Sequence, residues 1–294
     1  MIEQLTIIGV GLIGGSFAKA LKKSGKVKKV IGYGRQTENL ETALDLDIID
    51  DYTTNILEAV KNADVIFIAT PVSTFSDIFT LIKGHIKSSA VITDGGSTKL
   101  NVINMAKQVF GEVPENYVPG HPIAGTENSG AKAAFAELFE NHKVILTPLQ
   151  HTNAHALEII SDLWSATGAE IICMDAQHHD LVLGATSHLP HVIAFSLVNT
   201  LATLNERKEI FEYAAGGFKD FTRIASSDPK MWQDICFANK DILLNHLNHF
   251  QEDLSAIISA LKSDDVEFIK QVFTRAKVTR DTLVKPVLDN NQNH

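Results

Sequence analysis

The segment Gly9-Val10-Gly11-Leu12-Ile13-Gly14 constrains the fold of this chain more than any other. It follows the apolar run Leu5-Thr6-Ile7-Ile8 and opens a stretch of helical periodicity over residues 13–24. A second apolar run, Val30-Ile31-Gly32-Tyr33, a helical pattern over 38–46 and a third run, Val65-Ile66-Phe67-Ile68-Ala69, complete a parallel βαβαβ unit. The runs are continuously apolar rather than alternating, as strands covered on both faces must be. In that frame the three glycines have separate tasks: a tight turn, close backbone approach to a pyrophosphate, and packing of helix on strand. The helix N-terminus adds free N–H donors for the anion. Gly9, Gly11, Leu12, Ile13 and Gly14 are therefore expected to hold a dinucleotide, and the first part of the chain is expected to be an α/β, Rossmann-type dinucleotide-binding domain. The competing account, a glycine-rich turn without a ligand, does not need this strand–turn–helix setting.

The end of the second strand bears on the choice of nicotinamide cofactor. NAD-binding folds place a carboxylate there to accept from the ribose 2′-hydroxyl. Here the stretch is Gly34-Arg35-Gln36-Thr37, and the first acid, Glu38, falls inside the next helix. Arg35 can pair with a 2′-phosphate, or act as a solvated arginine stacked on the adenine. The expectation is NADP, with NAD possible. Thr70 and Pro71, at the end of the 65–69 strand, are expected either to border the cofactor crevice or to form a plain loop.

Strand and helix patterns continue at 73–82, 90–93, 100–109, 117–118, 143–147, 154–166 and 169–173, after which extended runs cease. Helical spacing alone fills 181–204, 232–261 and 266–282, so the second part is expected to be an all-α C-terminal domain. The boundary is set near 175, dividing the chain into 1–175 and 176–294. Trp164, Phe195 and Phe250 read as core positions, and the polar tail 289–294 as frayed.

Of the 294 residues 45% are hydrophobic and 21% charged, which is enough for a large core and excludes a disordered chain. Two cysteines, Cys173 and Cys236, make neither a disulfide framework nor a zinc site, which suits a reducing, cytoplasmic compartment. A net charge of -9 disfavours nucleic acid. No basic leader precedes the first strand and no uninterrupted apolar segment approaches the ~20 residues that span a bilayer, so secretion and membrane insertion are not expected. No metal site is apparent.

Two further segments fall at strand ends: Thr93-Asp94-Gly95-Gly96-Ser97-Thr98-Lys99 and Gly120-His121-Pro122-Ile123-Ala124-Gly125-Thr126-Glu127. His121 stands in a loop that Pro122 biases to extended geometry, and a projected imidazole suits proton transfer near neutral pH. Ser97 is open to two roles, contact with a substrate hydroxyl and N-capping of the helix that follows. In the helical part, Ser187-His188-Leu189-Pro190-His191 places a proline in an apolar helix, kinking it and turning two histidines to one region, whether as a site or as a buried kink. Arg223, in apolar company, needs an anion: an internal acid such as Asp180 or Asp220, or a substrate carboxylate.

Taken together, these segments resemble the prephenate and arogenate dehydrogenase family over nearly the whole chain. The resemblance implies a Rossmann domain joined to a helical dimerisation domain, a homodimer, and oxidative decarboxylation of a small-molecule cyclohexadienol on the route to tyrosine. It implies His121 as acceptor of the 4-hydroxyl proton and Ser97 as its hydrogen-bond partner. It likewise implies Arg223 as the carboxylate-binding arginine, with His188 and His191 lining the substrate pocket. The missing acid at Gly34-Arg35 resembles the NADP-using members. A β-hydroxyacid dehydrogenase or imine reductase shares the two-part plan but leaves Gly120-His121-Pro122 unexplained. A non-enzymatic NADPH-sensing protein would be excluded by turnover.

Overall fold

The computed structural model describes residues 1–126, 128–205 and 207–284, so Glu127 of the second segment and the tail 289–294 lie outside the described residues. The chain divides into two compact units, Met1–Lys240 and Asp241–His294.

Among the described residues of the first unit nine strands form two sheets: β1 Ile2–Ile8, β2 Val27–Tyr33, β3 Asp51–Thr53, β4 Val65–Ile68, β5 Val91–Asp94, β6 Tyr117–Val118, β7 Gly120–Pro122, β8 Lys143–Leu146 and β9 Glu170–Cys173. The larger sheet has the order β3-β2-β1-β4-β5-β6 and is parallel throughout. Its direction of winding reverses between β1 and β4, where open α/β sheets bind ligands beyond the carboxyl ends of the strands. The smaller sheet runs β7-β8-β9, with β7 antiparallel and β9 parallel to β8. The connecting helices are α1 Leu12–Lys23, α2 Thr37–Asp45, α3 Ile56–Val60, α4 Phe75–Ile82, α5 Leu100–Phe110 and α6 Ala154–Ser165.

Two cores flank the large sheet. On one face Phe17, Phe67, Phe139 and Trp164 cluster, with Phe17 and Trp164 ring centroids 4.3 Å apart. On the other, Ile66, Ile68, Phe75, Phe79 and Tyr117 pack together. Each β4 side chain is fully buried on one face or the other, which accounts for the continuous apolar run in its sequence.

Beyond Cys173 the chain is helical: α7 Ala176–Leu183, a π-helical turn Gly184–His188, α8 Leu189–Ala202, α9 Arg207–Glu212, α10 Gly216–Thr222, a 3₁₀ turn Arg223–Ser226 and α11 Pro229–Ala238. α12 Lys240–Lys262 continues into the second unit, which ends its described part with α13 Val266–Thr279 and a π turn Arg280–Val284.

The structure amends the sequence-based expectations in several places. The short edge strand β3 and helix α3 escaped notice because three residues and five are too few for a period to register. The helices from α7 to α11 group with the α/β part, since α7 packs on α5 and α11 on the turn Val72–Thr74. The last strand nevertheless ends at Cys173, beside the expected change of pattern. Of the three expected core aromatics Trp164 is buried, but Phe195 is half-buried and Phe250 is exposed. Finally, residues 176–202 form one helical run of 27 residues with mean hydropathy 1.6, long and apolar enough by length and composition to cross a bilayer. His179, Asp180, His188 and Pro190 punctuate this run, so its sequence is not an uninterrupted apolar segment.

Candidate active site

The turn after β1 is shaped by its glycines. Gly9 adopts φ +96°, and a Cβ there would lie 2.7 Å from Thr70 Cγ2 and 2.8 Å from the Ala69 carbonyl oxygen. At Gly14 a Cβ would lie 2.3 Å from the Gly9 carbonyl oxygen and 2.8 Å from Ile7 Cγ2, so only glycine lets α1 rest on β1. Gly11 differs: nothing lies within 4 Å of its Cβ position. Gly11 is also the N-cap of α1, with no side-chain cap and no acid in the first turn. Leu12, Ile13 and Gly14 form the first turn at the positive end of α1, whose N-cap has open space beside it and no side-chain cap, which fits a pyrophosphate.

Thr70 and Pro71 border this turn. Thr74 Oγ1 donates to the Pro71 carbonyl at 2.8 Å, and because a hydroxyl has one proton, Thr70 Oγ1 is the donor in the 2.8 Å contact between the two threonines. Arg35 is exposed just beyond β2, and no acid precedes Glu38 of α2.

The turn after β5 is anchored by buried charge. Lys99 and Asp94 are both fully buried and paired; Lys99 Nζ also donates to the Gly120 carbonyl at 2.6 Å. Asp94 further accepts from the Gly96 amide at 2.7 Å, the Tyr117 hydroxyl at 2.7 Å and the Gly120 amide at 3.3 Å. Burial pushes the Lys99 pKa down against the pull of Asp94, and burial beside Asp94 pushes Tyr117 well up. This clamp joins the end of β5 to the first residue of β7.

His121 therefore stands not in a loop but on β7, opposite Ile145 of β8. Its Nδ1 lies 2.8 Å from His179 Nε2, and His179 Nδ1 lies 2.9 Å from Asp180 Oδ1. Asp180 also accepts from the Lys99 amide at 2.8 Å and the Leu100 amide at 2.9 Å. It thereby caps α5, one of the two roles open to Ser97. Ser97 is half-buried in the bend before α5, and the partner at His121 Nδ1 is His179.

The helical histidines do converge. Asn239 Nδ2 donates to the Asp180 carbonyl at 2.8 Å and meets His188 Nδ1 at 3.1 Å. His191 donates from Nδ1 to the Ser187 carbonyl at 2.8 Å and stacks on Trp232 with centroids 3.6 Å apart. Pro190 follows the π turn Gly184–His188 inside the continuous helical run, and that turn is the irregularity in the helix.

Burial lowers every imidazole here. It holds His121 well below the ordinary 6.5, helped by repulsion from His179, Lys99 and His188, and takes His188 to about 4. His179 is lowered by burial despite Asp180, and His191 by burial with a smaller contribution from the charge of Arg223. Burial would raise Asp180, but hydrogen bonds from His179 and the α5 amides outweigh it and lower the pKa. Arg223 itself is exposed in the single chain rather than desolvated, and Asp180, one anion expected for it, is committed to α5 and His179.

The chemistry available is thus that of a neutral, half-buried imidazole backed by a second imidazole and a carboxylate, in the same unit as a turn suited to a pyrophosphate. Sequence reasoning missed His179, Asn239, Trp232 and the Asp94–Lys99 pair. Adjacent His179 and Asp180 in an apolar helical run were the available signal, since such groups are buried only with partners.

Residues 17–173 match the family described as prephenate dehydrogenase, nucleotide-binding domain, and residues 175–275 the family described as prephenate dehydrogenase, dimerization domain. The glycine turn lies just ahead of the first match. A cyclohexadienyl dehydrogenase of Zymomonas mobilis is 39% identical over 95% of this chain and 96% of its own length. A prephenate dehydrogenase of Bacillus subtilis is 40% identical over 96% of this chain and 76% of its own. A crystal structure of prephenate dehydrogenase from Aquifex aeolicus, in complex with hydroxyphenyl propionate and NAD+, superimposes with a TM-score of 0.87 at 37% identity, covering 95% of this chain and 98% of that one. With both domain families matched in order and relatives aligned along nearly its whole length, this chain belongs to the prephenate dehydrogenase family.

Proposed function

We propose that the chain catalyses oxidative decarboxylation of prephenate or arogenate, giving 4-hydroxyphenylpyruvate or tyrosine, with NADP preferred over NAD. The observation that carries this reading is His121, a half-buried imidazole kept neutral by its surroundings and therefore able to accept a proton. The cofactor is held by Gly9, Gly11, Leu12, Ile13 and Gly14 at the pyrophosphate, by Thr70 and Pro71 beside them, and by Arg35 at the 2′-phosphate. A bound oxidised nicotinamide would supply the hydride acceptor for C4 of the substrate. His121 accepts the C4 hydroxyl proton as the C4–H bond breaks, with Ser97 contacting the same hydroxyl. The bond to the ring carboxylate then breaks, CO2 leaves, its electron pair makes the ring aromatic, and the proton returns to the phenolic oxygen. His188 and His191 line the substrate pocket and Arg223 holds a substrate carboxylate, drawing on an exposed position from which the guanidinium still bears on His191.

The functional division runs near residue 175, with cofactor binding before it and helices after. The helical part serves a homodimer: Leu181, Tyr213, Phe221 and Phe237 are exposed in the first unit and Leu261, Val266 and Phe273 in the second. The free thiols of Cys173 and Cys236 suit a cytoplasmic enzyme.

A steady-state matrix of prephenate and arogenate against NAD and NADP tests the reading. Turnover of at least one substrate, with the higher kcat/KM on NADP, is expected. The NAD+ complex of the Aquifex relative makes the cofactor axis the sharper half of the test. Failure of all four combinations in folded protein refutes the function, and a higher kcat/KM with NAD refutes the role of Arg35.

A further inference from the structure

We propose that His179 and Asp180 are positioning residues that fix His121 as its Nδ1–H tautomer, leaving Nε2 as the one ring nitrogen able to accept a proton. The inference deepens the proposed function and rests on His121 being the proton acceptor there.

The assignment follows from the buried end outward. Asp180 receives three donors: the Lys99 amide and His179 Nδ1 on Oδ1, and the Leu100 amide on Oδ2. Two of these are backbone N–H groups, one on each oxygen, and the hydrogen bonds on this carboxyl group outweigh its burial and hold its pKa below the ordinary value, so it is ionised and acceptor-only. His179 Nδ1, 2.9 Å away, must then carry the proton. The His179 ring is fully buried and held neutral by that burial, so its Nε2 is bare. Two bare nitrogens cannot face each other at 2.8 Å, and His121 Nδ1 is therefore the donor to His179 Nε2. An isolated histidine side chain favours the opposite tautomer, with the proton on Nε2 and that nitrogen unable to act as a base.

The same chain of bonds supports the charged state. A proton arriving on His121 Nε2 from a substrate hydroxyl makes the ring an imidazolium, and its bond to His179 becomes charge-assisted. No proton need move further than Nε2. The electrostatic neighbours of His121 include Lys99 and His188 as well as His179, all of which oppose its protonation. A fixed acceptor at Nδ1 offsets part of that opposition.

Asp180 also caps α5, so its replacement confounds positioning with folding, and the test falls on His179. His179→Phe keeps a ring of similar volume and removes the acceptor. His179→Gln keeps an amide oxygen able to accept from His121. Ring-15N-labelled full-length protein, with His121 assigned by the signal lost in His121→Asn, should show Nδ1 protonated and Nε2 bare in the wild type. The pattern should move to Nε2–H in His179→Phe and stay in His179→Gln. In parallel, kcat should fall about 10²-fold in His179→Phe, the low end of what a general base supplies, with KM for substrate and cofactor within about threefold, and His179→Gln should recover part of it. An Nε2–H tautomer in the wild type overturns the inference, as does wild-type kcat in a His179→Phe variant whose tautomer has switched. The spectra require no substrate, so an inactive protein with the expected tautomer would count against the proposed function and support the inference.

Discussion

The replacement Lys99→Met isolates the clamp that holds the end of β5 against β7. Both charges are fully buried, and removing one partner of such a pair costs about 3–5 kcal/mol, because the other is left desolvated and uncompensated. Two features place the expected loss near the lower end. Asp94 keeps three donors, from Gly96, Tyr117 and Gly120, and methionine fills most of the lysine stem's volume. The orphaned Gly120 carbonyl adds about 1 kcal/mol back. A net loss of about 3–4 kcal/mol, at roughly 2–4 °C per kcal/mol for a body of this size, lowers Tm by about 6–16 °C.

Differential scanning calorimetry of Lys99→Met, Asp94→Asn and the double variant forms a cycle. The double variant should be more stable than the two single losses predict when added, since neither partner is then buried alone. pH gives a second signature. Burial holds Lys99 below its ordinary 10.5, so between the folded value and 10.5 the unfolded chain binds the extra proton and stability rises with pH through that window. Lys99→Met should lose that rise. A Tm within 1 °C of wild type, or strictly additive losses, would refute the account of the clamp.

Other residues carry sharper functional tests. Arg35→Asp should reduce kcat/KM for NADP by roughly one to two decades, matching a charge-assisted bond of about 1.5–3 kcal/mol, and reverse the preference toward NAD; an unchanged ratio removes Arg35 from the cofactor site. His121→Asn should lower kcat by about 10²–10⁴-fold and abolish an acidic limb of the rate profile that lies below pH 6.5, where burial places this imidazole. His188, with a folded pKa of about 4 against 6.5, is protonated first in the unfolded chain, so stability from this group is present above pH 6.5 and falls by about 3 kcal/mol as pH drops toward 4. Urea titrations of His188→Gln should show a flatter loss over that window. Arg223→Ala should lower kcat/KM for substrate at least about tenfold with cofactor KM unchanged, and Arg223→Lys should recover part; equal losses for both ligands would make Arg223 structural.

How far the sequence reveals this molecule depends on the range over which each signal acts. The glycine turn, the continuously apolar parallel strands and the change to helical spacing after Met174 are all local patterns, and they appear where expected. His121 was visible because the glycine and proline beside it have backbone consequences of their own. Its partner was not, because His179 lies 58 residues away and reaches it only after β7 joins the small sheet. The capping of α5 shows the same limit: a local rule favoured Ser97, whereas the carboxylate that satisfies those amides comes from Asp180, 80 and 81 positions along the chain. Arg223 was expected in an apolar enclosure from its neighbours in sequence, and those neighbours, such as Phe221, are themselves exposed.

The π turn Gly184–His188 explains why even the nearby pair Asp180 and His188 could not be recognised by helical spacing. Eight residues of regular α-helix advance by roughly 800°, leaving the two about 80° apart around the axis. Five of those steps at the slower rotation of a π turn, roughly 85° each, bring the total to about 720°, two full circles. Asp180 and His188 then share a face, in keeping with the single amide of Asn239 that reaches both the Asp180 backbone carbonyl and His188 Nδ1. The same local widening lets one helix satisfy two opposed demands. Its inward face holds His179, Asp180 and His188 at the candidate site, all buried, while only 22% of its most apolar stretch is buried in the single chain. A helix apolar around most of its circumference must be covered by something, and the family's dimerization domain, which begins at residue 175, includes this helix from end to end.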